Sequence, residues 1–225
     1  MNRCTALLGV WLALTFGAPA WAGFEEATTQ NNVAMELFRQ GKLAEAVSEF
    51  QKALQEDSKY LPARLNLAHA YERLDRIDEA MQEYRGAIAL EAKHFFAHNN
   101  LGVLLDKKGR YDEAIAEFES ALRSEPGNAM ALKNLATAKK NQAAIQERQL
   151  QIQLAEKNAE AKPKDPEASY HVARVHASYG NKPLALQWLD RSLRQGYKQT
   201  ERVKSDPAFA SLRDDRDFEL LLLGK

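Results

Sequence analysis

Residues 109–121 read GRYDEAIAEFESA, and the same pattern stands earlier in the chain as DRIDEAMQEYRGA (75–87) and as GKLAEAVSEFQKA (41–53). Each stretch carries a turn-forming residue, a Glu-Ala pair, an aromatic residue and a second alanine at fixed spacing. The alanines and the aromatic residue recur at intervals of three or four, which places them on one side of an α-helix. The equal steps between the three stretches therefore predict a repeated helical unit.

A second helix is predicted before each of these stretches. Small residues recur in it at the same interval, each after an aliphatic residue, as Val33-Ala34, Leu67-Ala68, Leu101-Gly102 and Leu135-Ala136. In the third unit the pattern predicts a helix over 96–108, a turn at 109–110 and a second helix over 111–124. A single helical hairpin cannot bury its apolar side, whereas stacked hairpins can.

These spacings resemble the tetratricopeptide repeat family, whose 34-residue unit has the small residue, the turn glycine, the Glu-Ala pair, the aromatic residue and the alanine in this order. Asp75 replaces the turn glycine, and Ser58 and Ala92 replace the closing proline that Pro126 supplies in the third unit. The resemblance, to an exported bacterial member of the family, implies an all-α fold. It implies a right-handed α-solenoid of helix hairpins that serves as a binding scaffold.

The repeats also predict how the chain is divided. Three units cover about 27–60, 61–94 and 95–128, followed by a fourth-repeat region at 129–162, a further hairpin at 163–197 and capping helices at 198–225.

The fourth-repeat region starts with the same residue pair but then departs from the pattern. Ala143 takes the turn position, Arg148 takes the Glu-Ala position, and no Gly or Pro occurs from 129 to 162. Either one helix about 50 Å long covers the whole region, or the region is a degenerate hairpin that kinks near Asn141. In the second case, residues such as Ile152 take the packing positions of the repeat. We favour the single helix. Its apolar seam is thin, so a strong coiled coil is not predicted.

The last hairpin recovers the repeat pattern from Pro166 onward, with Gly180 at the turn. Short Ser- and Asp-initiated segments follow it, and these residue types begin helices. We expect the apolar side of the hairpin to be covered by Phe209, Leu212, Phe218 and Leu221.

The N-terminal segment, 1–22, has the order of a secretory signal peptide. Arg3 is the only charge within 1–24, an apolar or small stretch covers 6–18, and Ala20-Trp21-Ala22 forms a small-x-small cleavage site. We expect cleavage after Ala22 and a periplasmic or secreted bacterial protein, with no membrane insertion once the signal is removed.

Composition excludes several classes of protein. Thirty-one basic residues balance 31 acidic ones, which argues against a dedicated nucleic-acid binder. The single cysteine excludes an internal disulfide framework and a multi-cysteine zinc site. The charges are nevertheless uneven, since residues 23–128 carry a net charge of −6 and residues 129–225 a net charge of +5. Such opposed halves would favour a salt-sensitive homo-oligomer.

Candidate ligand-binding residues lie in the first helix of each unit, on the side away from its partner helix. We number columns from the first residue of each unit, so that columns 2, 6, 9 and 13 share this side. Column 6 holds an asparagine ladder and column 13 a basic row; the candidates are Asn32, Asn66, Asn100, Asn134, Arg39, Arg73, Lys107, Met35, His69, Phe96, Val103 and Met130.

The asparagine ladder has two interpretations. An amide offers both a donor and an acceptor, so the ladder could pair with the backbone of an extended peptide. Alternatively, it bonds locally between neighbouring helices. The basic row could hold carboxylates or the C-terminus of an acidic partner, or it is solvated surface charge. The family resemblance implies that the first helices line a concave peptide groove.

Patterns typical of enzymes are missing from the sequence. No Gly-rich phosphate loop, G-x-S-x-G or H-E-x-x-H motif occurs, and His94 and His98 are interpreted as surface histidines rather than metal ligands. We therefore expect no catalytic site, no metal and no cofactor. The predicted function is a periplasmic adaptor that binds a protein or peptide partner in its groove. The alternative is an oligomerisation or docking module that acts through the long helix and the C-terminal hairpin.

Overall fold

The structure, a computed structural model, describes the backbone of residues 20–224 and the side chains of residues 23–224. The predicted signal peptide lies outside the described residues, apart from the backbone of its last three positions, and stays a prediction. The chain forms two units that divide between Ala138 and Lys139, and each is described by itself.

The first unit consists of helix hairpins in the predicted order. Its helices are α1 (Ala20–Arg39), α2 (Leu43–Glu56), α3 (Leu61–Arg73), α4 (Ile77–Leu90), α5 (Phe95–Lys107), α6 (Tyr111–Ser124) and the start of α7 (Ala129–Ala161). Within each repeat the first helix packs on the second, and α2 and α4 also pack on the first helix of the next repeat. The all-α fold of tetratricopeptide-like hairpins is confirmed.

The regular spacing of the repeat builds the core of this unit. Ala46, Phe50 and Ala53 are fully buried on α2, and their counterparts on α4 and α6 are buried as well. The small residue of the first helix is required by close approach, because a Cβ atom at Gly102 would lie 2.7 Å from Cε1 of Phe118. The residues that recur at a fixed interval in the sequence are therefore those that pack together in the core.

The turn between the two helices of a repeat uses a left-handed residue. Gly41 and Gly109 have φ angles of 77° and 73°, and Asp75 adopts the same region with a φ of 56°. The departure from glycine at Asp75 therefore leaves the turn geometry unchanged, at the cost of placing a side chain in a region that favours glycine.

Helix α7 is one helix of 33 residues, the first of the two alternatives for this region. Asn128 begins it, since the Asn128 side-chain oxygen accepts hydrogen bonds from the amides of Met130 (3.1 Å) and Ala131 (3.2 Å). Ala131 and Ala138 are buried in the first unit, and Ala155 and Ala159 are buried in the second.

The second unit is a hairpin closed by short helices. Its elements are the end of α7, α8 (Pro166–Ser178), α9 (Lys182–Arg194), α10 (Thr200–Ser205), a 3-10 helix (Pro207–Leu212) and α11 (Arg216–Leu222). Phe209, Leu212 and Phe218 are buried against the hairpin as expected. The expectation for Leu221 was wrong in part: it is half-buried, and Leu222 packs against this core instead.

The interpretation of His98 as a surface residue was wrong. His98 is 7% exposed, its Nδ1 lies 2.6 Å from Oε2 of Glu117, and its Nε2 lies 3.1 Å from the carbonyl oxygen of Ala92. His98 is buried because its position on the first helix faces the second helix of the same repeat. His94 is half-buried and begins α5, because its Nδ1 accepts a hydrogen bond from the amide of Ala97.

Among the described residues, no helix combines the length and the apolar character needed to cross a membrane.

Candidate functional site

A cleft of about 480 Å³ opens between the second and third repeats, on the side of the first helices. Its lining consists of Leu65, Asn66, His69, Glu72, Tyr84, His94, Phe96 and Asn100. Four of the predicted ligand-binding residues, at columns 2, 6 and 9, therefore meet in one depression. Asn66 and His69 come from α3, and Phe96 and Asn100 come from α5.

Three apolar side chains at columns 2 and 9 of the first helices, one of which lines the cleft, are exposed to solvent. Phe96 is 57% exposed, Val103 39% and Met130 48%, although all three sit on helices whose other sides are buried. Met35, predicted to belong to the same surface, is half-buried and packs against the core instead. The exposed apolar strip therefore runs over the third repeat and the start of α7.

The asparagine ladder is hydrogen-bonded between repeats. Asn66 Nδ2 donates to Oδ1 of Asn31 (2.9 Å), and Asn134 Nδ2 donates in the same way to Oδ1 of Asn99 (3.1 Å). Between the second and third repeats, Asn100 Nδ2 donates to the hydroxyl of Tyr84 (3.1 Å). Asn32, at the start of the ladder, is exposed.

The acceptor for each of these bonds comes from one of two columns of the preceding repeat. In the first and third repeats it is the buried asparagine of column 5, Asn31 or Asn99, and the aromatic residue of column 24 is a phenylalanine. In the second repeat column 5 is Leu65, and column 24 is Tyr84, which supplies a hydroxyl. Each step of the array thus provides one oxygen acceptor for the next asparagine.

Tyr84 connects this network to the cleft. Its hydroxyl donates to Oε1 of Glu72 and accepts from Asn100. Burial and the hydrogen bond to Glu72 raise the pKa of Tyr84 well above its usual value, so the phenol stays protonated. The carboxylate of Glu72 is half-buried at the cleft. The cleft therefore presents amides and a carboxylate beside the exposed ring of Phe96.

The basic row is exposed and has partners from its own chain. Arg39 lies 3.3 Å from Glu36, and Lys107 lies 3.2 Å from Asp75. The guanidinium of Arg73 lies 5.6 Å from the ring centre of Phe38, whose ring also contacts His69 at 5.1 Å. Exposed ion pairs of this kind contribute little to stability, so these cations can exchange partners with a ligand carboxylate at small cost.

Asn31, Asn99, Tyr84 and Glu72 were not among the predicted site residues. The signal that points to the first two is the Asn-Asn pair at 31–32 and 99–100, repeated after two full units. For Tyr84, the signal is a combination of two residues in the second repeat. Among the first three repeats, this one has leucine rather than asparagine at column 5, and its aromatic residue carries a hydroxyl.

In the described part of the chain, no group of three or more His, Cys, Asp or Glu side chains is placed to hold a metal ion. The two histidines at the cleft, His69 and His94, contact aromatic rings rather than carboxylates.

Comparison with known families identifies the repeats. Residues 37–99 and residues 95–128 each match the Tetratricopeptide repeat family. A curated relative, a chloroplastic protein of Arabidopsis thaliana, is 36% identical over 55 residues, which is 24% of this chain and 16% of the relative. The match thus spans only a small part of that protein.

Solved structures show the same fold. The first TPR domain of Spaghetti (RPAP3), bound to the HSP90 peptide SRMEEVD, is 26% identical with a TM-score of 0.51, over 53% of this chain and 94% of that one. The second TPR domain of human RPAP3, in complex with the HSP70 peptide SGPTIEEVD, is 26% identical with a TM-score of 0.50. The match covers 52% of this chain and 98% of that one. MamA shares the fold, with 17% identity and a TM-score of 0.51. The match covers 81% of this chain and 97% of that one. Residues 37–128 therefore contain tetratricopeptide repeats, and two of the similar structures hold a bound peptide.

Proposed function

We propose that the repeats at 27–128 bind an extended segment of a partner protein on the surface formed by their first helices. The observation that carries this proposal is the exposed apolar strip of Phe96, Val103 and Met130, together with the amide-lined cleft that Phe96 borders. Apolar side chains at the centre of a groove, flanked by polar groups that fix orientation, are typical of peptide sites. Two structures of the same fold hold an HSP90 and an HSP70 peptide, which supports peptide binding by the repeats.

The chemistry of the surface suggests how such a segment would be read. An aromatic or large aliphatic side chain of the partner would stack on Phe96 and fill the cleft, where the carboxylate of Glu72 disfavours a second acidic group. Acidic groups of the partner would lie farther along, at Arg73 and Lys107, whose present contacts are exposed. The preferred ligand is thus an apolar residue with an acidic residue or C-terminus near it.

Removing the Phe96 side chain tests the site without disturbing the fold. Peptides selected from a random dodecapeptide library against the chain should bind the Phe96→Ala variant about tenfold or more weakly in titration calorimetry, since exposed aromatic anchors dominate such interfaces. Leu90→Ala is the matched control, because Leu90 is 39% exposed and lies on a second helix, away from the groove. Equal loss in both variants, or none in either, contradicts the groove site.

The asparagines are a poorer choice for this test. Asn66→Ala and Asn100→Ala remove hydrogen bonds between repeats, so a loss of binding would not separate ligand contact from stability. Asn32 is exposed, and Asn32→Ala tests the ladder directly in the same titration.

We further propose that this scaffold works in the periplasm, as an adaptor within an envelope complex. The support is the sequence of residues 1–22. Fusion of residues 1–40 to alkaline phosphatase, which is active only after export, should give activity in bacterial cells. Replacing residues of the apolar stretch by charge, for example Leu12→Arg, should abolish it. An inactive fusion would overturn the periplasmic assignment and leave the groove proposal standing.

A further inference from the structure

Helix α7 carries a second apolar stripe in the second unit, on the side that faces away from the hairpin. Ala155 and Ala159 are buried against Ala168 and Val172 of α8. At 100° per residue, Leu150 and Leu154 lie on roughly the opposite side, and they are 48% and 54% exposed. Among residues 20–224, nothing covers these two leucines, which lie one turn apart and opposite the packed side of the helix.

The stripe extends by one heptad in each direction. Ala143 lies seven residues before Leu150, and Ala161 lies seven after Leu154; both are exposed. Glu147 and Lys157 lie between the alanines and the leucines, and they are exposed as well. The six positions span about 27 Å of helix and repeat with the spacing of a coiled-coil seam.

The order of these residues is self-complementary about Ile152. If two copies of α7 cross antiparallel with their two-fold axis at residue 152, Leu150 of each faces Leu154 of the other, and Glu147 of each faces Lys157 of the other. Ala143 then faces Ala161, and the small residues allow close approach at both ends. A parallel pairing would instead place Glu147 beside Glu147 and Lys157 beside Lys157, which is unfavourable.

We propose that the chain forms a symmetric dimer through this stripe, with two α7 helices antiparallel between residues 143 and 161 and their charge pairs fixing the orientation. The partner is a second copy because the stripe complements itself in both shape and charge, as a two-fold interface requires. Two leucine layers make a short seam, so the dimer is weak and depends on concentration. This interface is separate from the groove and does not depend on the proposed peptide binding.

Sedimentation equilibrium of the chain from about 10 µM to about 1 mM covers the range in which a weak interface associates. The chain should pass from monomer to dimer, and Leu150→Ser/Leu154→Ser should remain monomeric with an unchanged circular-dichroism spectrum. The control Leu90→Ser/Leu223→Ser removes two comparably exposed leucines elsewhere and should dimerise as before. A monomeric parent chain, or a dimer that survives the Leu150/Leu154 changes, overturns the proposal.

Charge exchange tests the antiparallel order. Glu147→Lys alone and Lys157→Glu alone each place like charges opposite one another, and should weaken the dimer about fivefold or more. The double variant Glu147→Lys/Lys157→Glu restores both pairs and the original net charge, and should recover the parent affinity. In a parallel or unrelated interface the double variant would not rescue the single ones, and that result overturns the assignment.

Discussion

The repeats of the first unit and the hairpin of the second place different chemistry at the same columns. In the third repeat, columns 2 and 9 are Phe96 and Val103, and both are exposed. In α8 the corresponding residues are Glu167 and Arg174, which lie 3.3 Å from Arg202 and 2.7 Å from Asp206 of the capping segment. The same columns of the repeat are therefore exposed to solvent in the third repeat and in contact with the capping segment in the last hairpin.

Column 5 shows the same contrast in the interior. Asn99 accepts a hydrogen bond from the next repeat, whereas Tyr170 at this column of α8 stacks on Tyr197 with ring centres 4.6 Å apart. The hydroxyl of Tyr170 donates to Asp206 at 2.7 Å. The third repeat thus offers an acceptor for the amide of the next helix at column 5, whereas α8 offers an aromatic surface for the capping segment at the same column.

Truncating a capping aromatic should have the largest effect. Phe209 is fully buried, so Phe209→Ala is expected to destabilise the second unit by about 3–5 kcal/mol. Phe96→Ala, on the open surface, should change stability by less than about 0.5 kcal/mol. Hydrogen exchange resolved by peptide should show faster exchange across 166–222 for the first variant alone. Similar destabilisation by Phe209→Ala and Phe96→Ala would contradict the difference between the capped surface of the second unit and the exposed surface of the third repeat.

Asp206→Asn should weaken the cap through charge, by about 2 kcal/mol at pH 7. Burial raises the pKa of Asp206, but hydrogen bonds from Tyr170 and the Ala208 amide and the charge of Arg174 outweigh it, so the pKa lies below its ordinary value. The carboxylate therefore stabilises the fold above about pH 4, and this contribution disappears as the pH falls through the folded-state pKa. Denaturant unfolding between pH 7 and pH 3 should show the parent and variant converging only at the acidic end.

Asn99→Ala should cost about 1–2 kcal/mol, because it leaves the amide of Asn134 without its buried acceptor. Asn32→Ala, at an exposed position, should cost less than about 0.5 kcal/mol. Thermal unfolding of the two variants checks whether the ladder stabilises the array. A similar melting temperature for both would favour ligand contact as the main role of column 6.

The smallest effect is expected at the turn of the second repeat. Asp75→Gly should stabilise the first unit by about 0.5 kcal/mol, since relief of the left-handed backbone exceeds the entropy of the added glycine. The exposed ion pair with Lys107 is lost at little cost. A lower melting temperature would show that this pair matters more than backbone strain.

Most of the fold could be predicted because the period of the repeat records which side chains pack together. Helices α2 to α6 and the turns at Gly41, Asp75 and Gly109 follow from that period within a residue. The buried His98 could not be found from its residue type, since its burial depends on facing Glu117 of the next helix. Likewise, the bonds of the asparagine ladder depend on which columns meet across repeats, and a sequence period does not give that contact.

The alternation between asparagine and tyrosine acceptors has a consequence for how such a chain can change in evolution. Each of the first three repeats carries, in column 5 or column 24, the oxygen that accepts the hydrogen bond of the next asparagine in the ladder. Duplicating one of these repeats, or deleting the second or the third, therefore leaves every following asparagine amide of the ladder with an acceptor. Because the acceptor lies within the repeat that is copied or lost, the number of repeats can vary. The individual asparagine and tyrosine residues, in contrast, cannot be replaced without the loss of a hydrogen bond.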